Sequence, residues 1–422
     1  MENIKQIATA SNRADQKSGA AIRKPLFGDY GTGKFFKNQT YHHGVMRPLN
    51  HIAAGGADLS EILQLTTRVK AGDAQGWYRE WTDLGDRNVA RGKATKDRLS
   101  RGEAFLRAHS YYARAEFYLP PDDPKRPESF NRNRSAFYEG LDTLCIAYEK
   151  IPVPYGENTL NAIYYPAPEP IRAPLIMFCG GYDSIVEELY FFLVASARKR
   201  GYAVLTYEGP GQGAALREQG LRFTHEWEKP TSAVLDAYLA AHARPEKIVL
   251  IGLSMGGYLA PRAAAFESRI DGVVSYDIMF NLQGVHDIPK SAVTLIRLGL
   301  GKLVVKVADV MALLKPGLRW GLSNASWTMG ANGFVEMVDT FGKYTLAGVA
   351  QNIRQDVLIL AGAEDQFVPV EQVEQYKKAL VNARSVTAKV YDTITGGHEH
   401  SQLGASTLWQ ADFFDWMQEK FG

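Results

Sequence analysis

One pentapeptide constrains this chain more than any other feature: Gly252-Leu253-Ser254-Met255-Gly256, which follows the apolar run KIVLI and leads into the helical stretch GYLAPRAAAFE. Strand, tight turn and helix in that order hold a serine hydroxyl clear of a sheet, because small residues flanking the serine permit a strained turn. The chain has 39 glycines, so a bare G-x-S-x-G arises by chance; the strand before it and the helix after it give it meaning. A serine at its free pKa is a poor nucleophile, so a histidine must accept its proton and an acid must orient that histidine.

The text around the motif supplies a sheet. After about Tyr148, short apolar runs alternate with helical patterns, the mark of an α/β fold with a mostly parallel sheet. The runs are Leu175 to Cys179, Tyr202 to Tyr207, Lys247 to Ile251, Gly272 to Tyr276, Val357 to Ala361 and Val386 to Tyr391. Their continuous Val, Ile and Leu character predicts strands buried on both faces. From about Leu59 to Leu119 the rhythm is helical instead, with Phe105, Tyr112, Ala115 and Leu119 on one stripe. Tyr111, Tyr112, Phe117 and Tyr118 are expected to pack in a core rather than against a ligand. The polar, proline-rich segment 120–133 reads as a surface connection. A length of 422 residues suits two to three structural units of about 150 residues each. The expected division is an N-terminal helical cap region over 1–148, a core over 149–280, an inserted helical cap over 281–345, and the rest of the core over 346–422.

In the loop after VLILA stands Asp365, at the carboxyl end of a strand, where α/β sheets hold their sites. Its competing reading is a cap for the helix that follows. After VTAKVY the chain reads Gly396-Gly397-His398-Glu399-His400-Ser401-Gln402, and either histidine fits the base. The other seven, including His42 and His43, are expected to be surface or helix-packing residues. Two backbone N–H groups must face the developing negative charge. One is expected from Met255, the other from Gly181 or Tyr182 in the Gly180-Gly181-Tyr182-Asp183-Ser184 loop. The Gly209-Pro210-Gly211-Gln212-Gly213 segment reads as a rigid loop near the site, since its proline and the lack of a Walker lysine argue against a phosphate loop.

Composition closes off other classes. Hydrophobic residues at 45% and charged residues at 22% describe an ordinary globular chain. The net charge of +2, with interleaved signs, offers no surface for nucleic acid. Two cysteines are too few for a disulfide framework and suit a reducing, cytoplasmic compartment. The first 25 residues lack the apolar core of a secretory signal. Residues 291–314 are interrupted by Arg297, Lys302, Lys306 and Asp309, so they read as an amphipathic helix and not a membrane span. The histidines have no metal-ligand company, and neither metal nor cofactor is expected. The expected partner is a small-molecule substrate, with a homodimer as one option.

Taken in order, SRGEAFLRAHSYYARAEF, GGYDS, YEGPGQG, GLSMGG, AGAEDQFVP and GGHEHSQLG resemble a branch of the α/β-hydrolases. That group contains 2,6-dihydroxypseudooxynicotine hydrolase and the fungal yellowish-green hydrolases that shorten polyketides. The likeness runs from about Gly85 to the C-terminus. It implies an α/β-hydrolase fold with a helical N-terminal cap and an inserted helical cap, and a Ser254-Asp365-His400 triad. The His400-Ser401-Gln402 match selects His400 over His398. Ser401, where the family commonly has Cys, and Glu208, where Asp is frequent, are mild departures. The resemblance implies hydrolysis of a C–C bond next to a ketone, or of an ester, in an aromatic or polyketide-type secondary metabolite. Cyclisation, acyl transfer or general carboxylesterase activity is the alternative. Carbanion departure also requires a proton source, for which Asp277, at the end of GVVSY, is a candidate, as it is for an alternative triad acid. Met279, Phe280, Trp320, Trp327, Met329 and Phe334 are expected to give the inserted cap an apolar inner face.

Overall fold

A computed structural model describes residues 35–168, 174–286 and 288–422. The segment read as lacking a secretory signal lies outside the described residues. Eight strands form one sheet: β1 Glu149–Tyr155, β2 Asn158–Tyr165, β3 Leu175–Cys179, β4 Val204–Tyr207, β5 Ile248–Leu253, β6 Gly272–Tyr276, β7 Asp356–Gly362 and β8 Ser385–Tyr391. The order is β1-β2-β4-β3-β5-β6-β7-β8. Strand β2 is antiparallel to both its neighbours, β1 and β4, and every other neighbouring pair is parallel.

Strands β3 to β8 are the six apolar runs of the sequence. Strands β3 to β7 are buried throughout, as continuous Val, Ile and Leu runs require. Strand β8 departs from that expectation: it closes the sheet's far edge, and only Tyr391 in it is fully buried. The β1–β2 hairpin gives no continuous apolar run. Its inward residues Ile151, Val153 and Leu160 are separated by exposed ones, and Pro152 and Pro154 are tolerated because β1 is an edge strand.

Each face of the sheet carries its own core. Helices Glu228–Ala241 and Gly256–Ala264 cover one face with Val234, Leu235, Tyr258 and Leu259; helix Ser406–Phe421 covers the other with Trp409, Phe413 and Trp416. Ahead of the sheet come helices Gln39–Leu49, Leu59–Thr66, Ala74–Ala94, Arg98–Ala115 and Lys125–Leu144. Tyr41, Trp77, Trp81, Tyr111 and Tyr118 make a third core among the first four and the turn that follows them. The surface connection expected over 120–133 is therefore too long. Helix begins at Lys125, and Pro127 sits in the first turn, where its missing N–H costs no hydrogen bond. Phe130 and Asn133 are buried.

Between β6 and β7 lie helices Lys290–Arg297, Gly301–Leu314, Pro316–Met329 and Phe334–Phe341. Residues 291–314 form two helices rather than one, broken at Gly299, whose φ of +80° favours glycine. No helix among the described residues is long and apolar enough to cross a membrane. The inserted helices meet the N-terminal ones at Trp320, which stacks on Phe117 with ring centroids 5.0 Å apart and donates Nε1–H to the Phe117 carbonyl at 3.0 Å.

Trp77 is fully buried and donates its Nε1–H to the Arg114 carbonyl at 2.7 Å. Trp77→Ala is expected to remove about 3–5 kcal/mol of stability, read as a lowered denaturant midpoint for the N-terminal helices.

Candidate active site

Ser254 stands at the turn between β5 and helix Gly256–Ala264 with φ +60°, a left-handed conformation rare for a residue with a side chain. The glycines on either side explain how the chain tolerates it. A Cβ on Gly252 would collide with the Gly256 carbonyl oxygen, so strand and helix approach this closely only with glycine there.

His400 reaches Ser254 from the loop after β8. Its Nε2 lies 2.7 Å from Ser254 Oγ, and its Nδ1 lies 2.6 Å from Asp365 Oδ2. A carboxylate only accepts, so the ring proton belongs on Nδ1 and Nε2 is left to accept the serine proton. Asp365 Oδ1 accepts the backbone N–H groups of Phe367 and Val368 at 2.7 and 2.9 Å. Burial works against the charged form of Asp365, but His400 and those two donors more than offset it and hold the carboxyl below its ordinary range. Burial likewise lowers His400, yet the neighbouring Asp365 charge dominates and holds the imidazole above its ordinary value. His398 is not brought to the serine. Its carbonyl accepts the Glu364 N–H at 2.9 Å, and its ring lines no part of the cavity.

Asp277 lies behind His400, with Oδ2 3.6 Å from Nδ1. It accepts the Ser401 N–H at 2.7 Å and the Gln402 side-chain amide at 2.8 Å. Burial and the adjacent Asp365 charge push its carboxyl up to about 8. Asp277 does not line the cavity, so the expectation that it protonates a departing carbanion fails on position; its contacts are with the His400 loop. Asp277, Asp365 and His400 offer three ligand atoms within 4.8 Å of one another, a set dense enough for a cation. Here His400 Nδ1 already serves Asp365, and Asp277 accepts two N–H donors.

The loop after β3 comes against the turn. A Cβ on Gly181 would lie 2.7 Å from the Leu253 carbonyl and 2.9 Å from the Met255 nitrogen, which only glycine permits. Gly181 itself is corrected as a donor, because its N–H already bonds Ser184 Oγ at 2.8 Å. Among the described residues the N–H groups of Met255 and Tyr182 have no such partner, and both residues line the cavity beside Ser254. Gln212 holds this loop in place, donating its amide to the carbonyls of Gly180 and Gly181 at 2.9 and 2.8 Å. The Gly-Pro-Gly-Gln-Gly segment thus stands next to the site, as read from sequence, but the important contact is a side chain that the glycines obscured. Glu208, just before it, is buried, and its carboxyl is pushed up to about 8 by burial and by Glu187.

A cavity of about 1040 Å³ opens over Ser254. Met279, Trp320 and Phe334 line it as expected; Phe280, Trp327 and Met329 do not. Phe117 lines it too, whereas Tyr111, Tyr112 and Tyr118 are packed away. Leu295, Leu303, Val307 and Met311 extend the apolar wall toward the rim, and Lys37, Asn38, Thr40 and His43 come from the N-terminal region. His43, expected to be a surface or helix-packing residue, also lines the cavity. Arg47, one turn further along its helix, pairs with Asp183 at 2.7 Å and with Glu188 through two contacts of 2.8 and 2.5 Å, which ties that helix to the loop holding Tyr182.

Residues 175–402 match the model of a family described as the alpha/beta hydrolase family. Hydrolase acrC of Aspergillus aculeatus is 31% identical over 427 residues, covering 92% of this chain and 98% of its own. The 20-hydroxy-prefusarin hydrolase FUS2 of Gibberella moniliformis is 28% identical over 418 residues, with the same coverage. Among solved structures, 2,6-dihydroxy-pseudo-oxynicotine hydrolase shares the fold with a TM-score of 0.67 at 19% identity, covering 88% of this chain and 95% of its own. AbyA5 does so with a TM-score of 0.65, also at 19% identity, covering 90% and 95%.

Gly181→Ala is expected to fold but to lose roughly 10²-fold or more in kcat, since the added methyl forces the Tyr182 amide away from Met255. Steady-state kinetics alongside circular dichroism would check it.

Proposed function

This chain belongs to the alpha/beta hydrolase family and is a hydrolase, and from that premise we propose that Ser254 is its nucleophile, His400 the base and Asp365 the orienting acid. The reaction is hydrolysis of a C–C bond next to a ketone, or of an ester, in an aromatic or polyketide-type secondary metabolite. The carrying observation is the unbroken chain Ser254 Oγ to His400 Nε2 at 2.7 Å and His400 Nδ1 to Asp365 at 2.6 Å, on a serine strained to φ +60°. Proton withdrawal along that chain makes the hydroxyl nucleophilic. The Met255 and Tyr182 amides stabilise the oxyanion as it forms.

The substrate class rests on the cavity. Its volume suits a mid-sized organic molecule, and its walls are mainly aliphatic and aromatic, with His43, Asp183, Ser254 and His400 among its polar lining. A relative named for 20-hydroxy-prefusarin is in keeping with such a substrate. Two unpaired cysteines, Cys145 exposed and Cys179 buried, support a cytoplasmic setting.

Ser254→Ala is expected to lower kcat by about 10⁴-fold or more while the protein stays folded, and to abolish labelling by a fluorophosphonate. Near-normal turnover in a folded Ser254→Ala protein would remove the covalent mechanism. His400→Ala should be as damaging as the serine change, and His398→Ala far milder. A screen of 1,3-diketones against esters, with product masses recorded, separates the two bond types.

The two acids are expected to part company. Asp365→Asn should lose roughly 10⁴-fold in kcat, because the amide presents the wrong partner to Nδ1–H. Asp277→Asn should lose much less, because burial and the Asp365 charge raise its carboxyl and so already disfavour the charge that the substitution removes. Protonated His400 cannot accept the serine proton, so kcat/KM should fall as pH drops through a value above the ordinary 6.5 of histidine. An acid limb centred at or below 6.5 would contradict that assignment.

A further inference from the structure

The helix Gln39–Leu49 carries His43 to the edge of the site, with its ring centroid 6.0 Å from that of His400 and 5.3 Å from that of Phe367. It lines the large cavity. It also lines a recess of about 20 Å³, bounded by Arg47, Asp183, Ser254 and His400, that is large enough for one water or one oxygen substituent.

Gln366 settles the state of this ring. Its Oε1 accepts the backbone N–H of His400 at 3.2 Å, and an N–H can be given only to the oxygen end of an amide. The NH₂ end then faces His43, whose Nδ1 lies 3.3 Å away and must accept. That leaves the ring proton on Nε2. Among the described residues no acceptor meets Nε2, which leaves its N–H for a ligand in the cavity that this residue lines. Burial, reinforced by His400 and Arg47, keeps the imidazole well below its ordinary pKa, and hence neutral. A neutral imidazole N–H held beside a reacting centre polarises a carbonyl without giving up its proton.

We propose that His43 forms a second electrophilic subsite, its Nε2–H binding the oxygen of the carbonyl one carbon removed from the bond that breaks, so that the site takes β-dicarbonyl compounds. This rests on Ser254 and His400 acting as described above. Ser254 Oγ bonds to the first carbonyl carbon and its proton passes to His400 Nε2. Collapse of the tetrahedral adduct breaks the C–C bond, and the electron pair moves into an enolate whose oxygen is held by His43 Nε2–H. His400 returns its proton to the enolate carbon, giving the free ketone. Water, activated by His400, then hydrolyses the acyl-Ser254. His43 keeps its proton throughout, and no reactant beyond water is consumed. In an ester the leaving oxygen carries no enolate, and this subsite has nothing to stabilise.

The test compares benzoylacetone with phenyl acetate, which can share an acetyl-enzyme, in the wild type, His43→Ala and His43→Gln, with active sites titrated by a fluorophosphonate. The ratio of kcat/KM for diketone over ester should fall roughly 10²-fold in His43→Ala, through kcat rather than KM, and His43→Gln, which keeps an N–H donor, should recover part of the loss. An equal fall for both substrates would mark His43 as structural, and no fall for either would leave it without a role; either overturns the subsite. If the wild type hydrolyses phenyl acetate but neither benzoylacetone nor any other 1,3-diketone, C–C hydrolysis itself fails, and the subsite with it.

Discussion

Everything near the site is arranged around one strained residue. Ser254 at φ +60° is held between a buried strand and a helix that approach closely only through Gly252 and Gly256. Strain of this kind costs on the order of 1–3 kcal/mol and persists only where the surroundings leave no alternative. The surroundings here are β5 at the centre of the sheet, with parallel neighbours on both sides, and the Gly181 backbone pressed against the turn. The same close approach brings the Gly181 backbone, next to Tyr182, against the Met255 nitrogen. The strain at Ser254 and the placing of the two amides proposed to bind the oxyanion therefore share one cause.

The N-terminal helices take part in the site rather than merely covering it. Arg47, almost fully buried, spans from its helix to Asp183 and Glu188 in the segment after β3. Burying these charges is costly, and pairing in two-pronged geometry offsets that cost without making the network a large source of stability. Its consequence is geometric: the helix that carries His43 is held in register with the loop that carries Tyr182. From the other side, Gln366 joins His43 to the backbone of His400 through one amide. Asp277 steadies the His400 loop, where Ser401 and Gln402 both adopt positive φ.

How much could be read in advance depended on whether the signal was local. Strands β3 to β7 are legible because burial on both faces demands unbroken apolar runs. The β1–β2 hairpin was not, because it is buried on one side and carries prolines that an edge strand can accept. The first turns of helix Lys125–Leu144 read as a surface connection in the sequence because prolines at 124 and 127 look like breakers, although a first turn has no N–H partner to lose. His398 and His400 stayed equivalent in residue type and position until a family likeness separated them.

The sequence by itself determined the elements whose physics is local: the serine turn flanked by strand and helix, the order of serine, acid and histidine, and the paired glycines after β3. Each needs particular residue types within a few positions, so the pattern is written in the text. The His400 contact with the serine, which a family likeness implied, is made in the tertiary structure, and only that structure decided which loop amide is free and that His43, Arg47 and Gln212 lie at the site. His43 and His400 lie 6.0 Å apart between ring centroids, although hundreds of residues separate them in the chain. No spacing rule encodes a contact made by a helix packing across a sheet edge, because that packing is set by shape and buried charge over the whole interface.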